Sequence, residues 1–273
     1  MCRGRSHPVH FEEPVMQRSL LSIVALTTFA SLGAFFLSSG NEPASNAPVA
    51  QSGPQHPRTW APGGKRERLT PDNCVVALID HQTGLMNLVD NAKTTEFKSM
   101  VVGLAKTAKL HKVPVVITTS AESGANGPFL PEVLQVLPDA PRIARQGQID
   151  AWDDANFVKA IEQTGKKHIV MAGITTDVCV AFAALSALEA GYQVYVVTDA
   201  SGSMNLATQD AAITRMAEAG ATIGTWFAFA CELLSDWRHP EGAASAQLFV
   251  EHMPAYAEVF HSHAAASPKA GAR

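Results

Sequence analysis

Cys179 is the residue of this sequence that is best placed to act as a nucleophile. It lies in the segment Ala-Gly-Ile-Thr-Thr-Asp-Val-Cys-Val, where Gly173 ends a predicted strand and Thr176 or Asp177 can cap the following helix. A cysteine in the first helical turn is close to unpaired N–H groups and to the positive end of the helix dipole, both of which favour the thiolate. Because a thiolate attacks carbonyl carbon, this position indicates nucleophilic catalysis. A free cysteine is also commonly a small buried hydrophobe, so position alone leaves a structural role open.

Two charged residues, Asp80 and Arg145, are candidates to assist the cysteine. Asp80 follows an apolar run and can take the thiol proton and pass it to a leaving group, or it can simply cap a helix or pair with a basic group. Arg145 can stabilise a carboxylate and a thiolate, but it stays protonated and cannot serve as a base. The nearby Arg142 leaves the choice of arginine open, and either one can instead be a solvated surface residue.

Apolar runs separated by helical patterns predict the scaffold that carries these residues. Near-continuous apolar runs are typical of parallel strands that are buried on both faces. Their alternation with helices predicts an α/β fold, a three-layer α/β/α sandwich around a parallel sheet, in which sites lie at the carboxyl ends of the strands. Asp80, Arg145 and Cys179 each follow or end such a run, so we expect them at one edge. The predicted strands are residues 74–80, 113–119, 142–145, 168–173, 193–198 and 221–225.

The N-terminal part of the chain does not follow this pattern. Residues 20–37 read LLSIVALTTFASLGAFFL, without charge and behind Arg18, which is typical of a secretory signal. The run is also long enough to span a bilayer, so an uncleaved membrane tether through 20–37 is the alternative. We therefore expect a leader over 1–40, a disordered linker over 41–68, one folded domain over 69–261 and a disordered tail over 262–273. The leader predicts export to the periplasm; without a functional leader the protein would be cytoplasmic.

Charge and cysteine spacing exclude several classes of function. The formal net charge is −4 and there is no basic stripe, so nucleic acid is not an expected partner. The four cysteines form no C-x-x-C pair, which argues against a zinc ribbon or a thioredoxin-type redox motif. No set of histidines and acids has metal-ligand spacing, so we expect neither a metal nor a cofactor. A small molecule remains the expected partner.

Six motifs, in order, resemble the isochorismatase-like cysteine hydrolase superfamily, most closely its YcaC-type group. The resemblance extends from about residue 69 to residue 256. The superfamily has a Rossmann-like sheet of six parallel strands between helices, and its members hydrolyse mostly small amides and related C–N bonds. The motifs are LIDHQTG at 78–84, TTSAESGANGP at 118–128, IARQG at 143–147, DAWD at 150–153, AGITTDVC at 172–179 and VTDASG at 197–202.

The resemblance assigns roles to particular residues. It implies an aspartate, a basic residue and a cysteine at Asp80, Arg145 and Cys179, although the basic residue of the superfamily is usually lysine. It also implies a cis peptide at Ile174–Thr175, which would direct the Thr175 N–H to an oxyanion hole shared with the Cys179 backbone. The superfamily further suggests a homo-oligomer.

The function expected on this basis is cysteine-dependent hydrolysis of a small amide-like substrate through a covalent thioester or thioimidate-type intermediate. Glu122, Asn126 and Trp152 are candidates to line the substrate pocket, with loop polarity and core packing as their alternatives. A catalytically idle protein of the same fold, serving as a ligand-binding or scaffold protein, is the competing hypothesis, because a fold does not determine a function. A peroxide-sensing thiol is a third.

Overall fold

The centre of the structure is a parallel β-sheet of six strands. The computed structural model describes residues 67–266, all within one compact unit of the chain. The strand order is β3-β2-β1-β4-β5-β6, and every neighbouring pair is parallel. The strands are β1 Cys74–Ile79, β2 Val115–Ser120, β3 Arg142–Arg145, β4 His168–Gly173, β5 Gln193–Val197 and β6 Thr222–Gly224.

Helices cover both faces of the sheet and bury two separate apolar clusters. One cluster lies between the sheet and α1, α2, α6 and α7, and the other lies between the sheet and α3, α4 and α5. The protein is therefore a three-layer α/β/α sandwich, as the sequence predicts. The helices are α1 Thr94–Leu110, α2 Pro131–Val136, α3 Ala155–Gln163, α4 Ala181–Glu189, α5 Leu206–Glu218, α6 Trp226–Leu234, α7 Gly242–His252 and α8 Pro254–Ala266.

The central strands β1 and β4 are apolar except for His168 at the start of β4, because both of their faces are covered. All residues of both strands are buried. After β1 the chain adds β2 and β3 on one side of the sheet. It then returns to the other side of β1, where it adds β4, β5 and β6, so the strand order reverses between β1 and β4. Such a reversal leaves a crevice at the carboxyl ends of the two strands. Asp80 follows β1 at this crevice, and the segment from Ile174 to Cys179 follows β4.

Several predicted boundaries differ from the observed ones. The apolar helix expected around Cys179 begins as a π-helical turn, Thr176–Val180, and only then continues as α4. Residues 262–266, predicted as part of a disordered tail, belong to α8. Arg68, predicted in the linker, donates from Nε and NH2 to the Glu232 carbonyl oxygen at 3.2 and 2.9 Å.

The predicted leader, 1–40, and most of the predicted linker, 41–68, lie outside the described residues. Within 67–266, no helix combines the length and the hydropathy that a bilayer span requires. Export and a membrane tether through 20–37 therefore stay predictions.

Gly173, the last residue of β4, allows the two central strands to approach at the crevice. A Cβ built there would overlap the Ile79 carbonyl oxygen and lie 2.9 Å from Val180 Cγ2. We expect Gly173→Ala to lower the free energy of unfolding by about 2–3 kcal/mol, as overpacking does. Guanidinium unfolding measures this. Gly147→Ala is the matched control, since its Cβ would meet nothing within 4 Å. Equal unfolding midpoints for the two variants would contradict the packing argument.

Candidate active site

Asp80 is positioned by a backbone turn directly after β1. Its φ is 55°, a left-handed conformation that is uncommon outside glycine but better tolerated by Asp and Asn. Its N–H donates to the Thr118 carbonyl oxygen at 2.9 Å, and its carbonyl oxygen accepts from the Gln82 N–H at 2.7 Å. Because the backbone is held on both sides, the carboxylate is fixed at the carboxyl edge of the sheet, where it is fully buried.

Arg145, at the end of β3, pairs with the Asp80 carboxylate through both of its terminal nitrogens. NH1 donates to Oδ1 at 3.1 Å and NH2 to Oδ2 at 2.8 Å, and neither side chain is exposed to solvent. Nε donates to the Gln148 carbonyl oxygen at 3.1 Å, and NH1 donates also to Thr118 Oγ1 at 2.8 Å. Arg142 is exposed at the other end of the same short strand. The structure therefore places Arg145, and not Arg142, beside Asp80.

Cys179 lies in the π-helical turn, half-buried, with its thiol hydrogen-bonded to Asp80. The Thr175 backbone N–H donates to the sulfur from the other side. The Ile174–Thr175 peptide is cis. The predicted N-cap by Thr176 or Asp177 is wrong: Thr175 occupies the cap position without a side-chain bond, and the Thr176 hydroxyl donates instead to the Gly202 carbonyl oxygen at 3.0 Å.

The electrostatics of this site favour a neutral thiol in the resting protein. Burial, followed by the charge and the hydrogen bond of Asp80, raises the pKa of Cys179 to about 12, against the lowering effects of the Thr175 backbone hydrogen bond and the Arg145 charge. The expected thiolate is therefore wrong for the resting state, because desolvation and a nearby carboxylate outweigh the helix end. Burial also raises the pKa of Asp80, against the opposing effect of the Arg145 hydrogen bonds and charge. Both shifts favour the neutral form of the group concerned, so the site resists holding two negative charges at once.

The loop after β2 carries two of the predicted pocket residues, Glu122 and Asn126, both half-buried. The Gln82 side chain fixes this loop: Nε2 donates to the Ser120 carbonyl oxygen at 3.1 Å and to that of Gly127 at 2.5 Å, while Oε1 accepts from the Ser120 N–H at 2.9 Å. Asn126 Nδ2 donates to the Ser120 carbonyl oxygen at 2.9 Å, so this side-chain amide stabilises the loop. Sequence reasoning missed Gln82, although it follows Asp80 by two residues.

Trp152 packs against the apolar cluster that lies between the sheet and α3, α4 and α5. Its ring packs edge-on against Phe157 and Tyr192, with centroids 6.0 and 5.5 Å away. Tyr192 immediately precedes β5, so this contact lies toward the edge of the sheet opposite to Asp80. The physical reason is the local turn: Asp150 Oδ1 accepts from the Trp152 N–H at 2.9 Å, while Oδ2 accepts from Ser186 on α4 at 2.6 Å. These contacts agree with the alternative of core packing, and the role of Trp152 in lining the pocket stays a prediction.

His81, next to Asp80, faces the other apolar cluster. Its ring lies 6.2 Å from Phe97 and 5.9 Å from Phe129, and Nε2 is 2.9 Å from the Ala200 carbonyl oxygen. Burial lowers the pKa of His81 to about 4, so the ring is neutral at neutral pH and Nε2 donates to the carbonyl. Adjacent residues at a strand end point to opposite sides, which separates His81 from the chemistry.

The remaining described cysteines have apolar surroundings. Cys74 is fully buried and its thiol donates to the Thr70 carbonyl oxygen at 3.1 Å, while Cys231 packs half-buried against the core on α6. Over residues 67–266, no group of three or more His, Cys, Asp or Glu side chains is arranged to hold a metal ion.

Comparison with known proteins agrees with the fold and the motifs. A family model described as the isochorismatase domain matches residues 74–227, more than half of the chain. The chain belongs to the isochorismatase family. "Probable hydrolase YcaC" of Escherichia coli is 48% identical over 197 residues, which cover 72% of this chain and 94% of that protein. A secreted isochorismatase effector of Phytophthora sojae, Isc1, is 28% identical over 68% of this chain and 89% of its own length.

Two solved structures of YcaC proteins are similar to this chain, each with a TM-score of 0.70. YcaC of Pseudomonas aeruginosa, with hexane-2,5-diol and covalent acrylamide, is 47% identical and matches over 72% of this chain and 98% of its own. YcaC of Escherichia coli, described as an octameric hydrolase of unknown specificity, is 48% identical and matches over 73% and 98%. The chain is thus a YcaC-like hydrolase of the isochorismatase family, and the resemblance read from its motifs is confirmed.

Removal of the Asp80 charge tests the electrostatic description of the thiol. The Asp80 charge and hydrogen bond raise the pKa of Cys179, so we expect Asp80→Asn to lower that pKa from about 12. Thiolate absorbance in the ultraviolet measures the titration, with Asp80→Asn/Cys179→Ser as the matched background for the other cysteines. A pKa that is unchanged or higher in folded Asp80→Asn protein would refute the contact between the two groups.

Proposed function

We propose that the protein is a cysteine hydrolase that cleaves a C–N bond in small amide-like substrates, with Cys179 as nucleophile and Asp80 as proton carrier. The single observation that carries this proposal is the hydrogen bond between the Cys179 thiol and the Asp80 carboxylate. Arg145 pairs with the same carboxylate through both of its terminal nitrogens. A nucleophile, a base and a group that orients the base is the general arrangement of covalent catalysis.

The first half-reaction transfers the thiol proton to Asp80 as the sulfur attacks the substrate carbonyl carbon. A C–S bond forms and the carbonyl electrons move to its oxygen. Asp80 then gives the proton to the leaving nitrogen, the C–N bond breaks, and a thioester and an amine result. In the second half-reaction water gives a proton to Asp80 and its oxygen attacks the thioester. The C–S bond breaks, and the sulfur recovers the proton. With a nitrile the sulfur would add to the nitrile carbon and Asp80 would pass the thiol proton to the nitrogen, which gives a thioimidate without release of an amine. Water would then add to the thioimidate carbon, and loss of ammonia would leave the thioester.

Backbone N–H groups at the start of the π-helical turn are suited to the developing oxyanion. The Thr175 N–H already donates to the Cys179 sulfur, so it lies next to the carbon that the sulfur would attack. The N–H of Cys179 itself is the second candidate. Donors aimed at a developing negative oxygen contribute strongly in a dry site, and loss of one typically costs about two to three powers of ten in rate.

Arg145 acts through Asp80 in this proposal and not as a binding group for the substrate. Its side-chain hydrogen bonds go to Asp80, Thr118 and the Gln148 carbonyl oxygen, and its side chain has no exposure to solvent. A substrate carboxylate would have to break these contacts to pair with it. This supports an uncharged substrate at the reacting carbon.

The covalent acrylamide in the Pseudomonas aeruginosa YcaC structure supports a reactive nucleophile in this scaffold. Acrylamide is an electrophile that bonds to nucleophilic side chains, thiols above all. At 47% identity over nearly the whole of that protein, the comparison favours a comparable reactivity here.

The alternative function, a catalytically idle ligand-binding or scaffold protein, is favoured by one observation. A half-buried thiol with its pKa raised to about 12 is a poor nucleophile unless a base removes its proton during the reaction. The two hypotheses differ in whether Asp80 does this.

Replacement of the nucleophile tests the leading proposal. We expect Cys179→Ala to abolish both hydrolysis and covalent labelling, because no other group can form the intermediate. Purified protein is screened against small amides, nitriles and hydroxamates, with intact-mass detection of an adduct at Cys179. Cys231→Ala, which removes a half-buried cysteine of the core, is the matched control and should behave as wild type. Turnover by Cys179→Ala, or the absence of any adduct and any product with wild-type protein, favours the idle scaffold.

Assembly into a homo-oligomer is part of the same proposal. The Escherichia coli relative is described as octameric, and this chain exposes large apolar side chains beyond the carboxyl ends of β3 and β5, including Ile149 at 58% and Leu206 at 62%. Exposed apolar groups of this kind are typical of subunit interfaces. We expect light scattering of purified protein to give an integral multiple of the mature chain mass. A monomer at micromolar concentration would contradict the proposal.

A further inference from the structure

Thr118 on β2 is a buried hydroxyl whose hydrogen bonds have one consistent direction. Oγ1 donates to the Ile143 carbonyl oxygen at 3.0 Å. A hydroxyl carries one proton, so toward Arg145, whose NH1 lies 2.8 Å away, it can only accept. Thr118 therefore presents a lone pair to the guanidinium, and its proton is not free for the Asp80 carboxylate.

We propose that Thr118 is a positioning residue that holds the Arg145 guanidinium in place while Asp80 carries the thiol proton. The inference rests on the proposed function, because it concerns the step in which Asp80 is neutral and the sulfur is negative. It assigns a role to a residue that touches neither the sulfur nor the substrate.

The distribution of contacts around Arg145 supports this role. In the resting site two of its hydrogen bonds go to the ionised Asp80 carboxylate. Such charge-assisted bonds are roughly twice as strong as neutral ones, and they weaken once Asp80 is protonated. The contacts that keep their strength are those to Thr118 Oγ1 and to the Gln148 carbonyl oxygen.

Two fixed points are needed to orient a planar group. The Gln148 carbonyl anchors Nε, which leaves the plane free to turn about that contact. Thr118 anchors NH1, at a different nitrogen, and so defines the direction of the fork. The positive charge then stays aligned with the carboxyl group and near the sulfur throughout proton transfer.

The chain supplies a matched control in the next residue. Thr119 is as fully buried as Thr118 and lies on the same strand, but strand alternation directs it to the opposite face. Its Oγ1 has no hydrogen-bond partner. Valine at 119 therefore removes a hydroxyl from the same strand at the same depth without removing a contact of Arg145.

The experiment measures the rate at which iodoacetamide alkylates Cys179 in the full-length protein, by peptide mass, as a function of pH. In this reaction the sulfur bonds to the methylene carbon, iodide leaves, and the thiol proton goes to Asp80. We expect Thr118→Val to slow labelling about tenfold at neutral pH, as expected for one buried N–H left without an acceptor. The acid limb of the profile should move to higher pH, because a loosened guanidinium favours the carboxylate less. Thr118→Ser, which keeps the acceptor, should restore both.

The possible outcomes separate this inference from the proposed function. If Thr118→Val matches Thr119→Val in rate and in pH profile, while Asp80→Asn removes the acid limb of the profile, the positioning role is overturned and the function stands. If Asp80→Asn keeps the acid limb of wild type, Asp80 does not accept the thiol proton, and the function and the inference fall together. Thr118→Ala replaces the valine variant if the latter does not fold. A lower melting temperature without a shifted acid limb would indicate a purely structural threonine and overturn the proposal.

Discussion

The buried ion pair between Asp80 and Arg145 is the interaction on which the site depends. Both side chains are completely removed from solvent, so each charge relies on the other. Loss of one partner from such a pair typically costs about 3–5 kcal/mol, because the remaining charge is left buried and uncompensated. The pair also joins the ends of β1 and β3, strands separated in the sheet by β2. Thr118 lies on that intervening strand and contacts the Arg145 guanidinium. The order of the strands therefore places Asp80 and Thr118 around the guanidinium.

The state of the nucleophile follows from this pair. Burial opposes a negative charge on the sulfur, and the charge and hydrogen bond of Asp80 oppose it further, which is why the thiol is neutral in the resting protein. In the proposed mechanism, transfer of the proton to Asp80 would move the negative charge from the carboxylate to the sulfur and leave the total charge unchanged, with the guanidinium still in place. On that proposal the proton moves over one hydrogen bond, and no additional charge has to enter the buried site.

The sequence predicted the sheet and the convergence of Asp80 and Cys179, because both follow strongly apolar strands and parallel strands end at one edge. Residue type and spacing alone left Arg142 and Arg145 undecided, since they are the two ends of a four-residue strand, and it was the resemblance to the superfamily that pointed to Arg145. Sequence reasoning also mistook a π-helical turn for the start of an α-helix, because the two have similar apolar patterns over one turn.

Side-chain roles were harder to predict than strand positions. Trp152 was assigned to the pocket from its motif, but its orientation depends on Asp150 and Ser186, which are remote from each other in sequence. Thr118 was overlooked because a threonine inside an apolar strand is an ordinary β-strand former. Thr118 differs from other strand threonines in its position along β2 and in the sheet face on which it lies, because both place it next to Arg145. The register between β2 and β3 determines this position.

The presence of arginine where the superfamily usually has lysine changes how the positive charge is held. A lysine ammonium is a point charge that can also lose a proton, whereas a guanidinium is a rigid fork that stays charged. Here the fork is used at three nitrogens, for Asp80, for Thr118 and for the Gln148 carbonyl. One ammonium nitrogen is not able to occupy these three separated positions. The surroundings of Arg145 are therefore suited to a guanidinium, and in the proposed mechanism Asp80 would carry the proton without help from the basic residue.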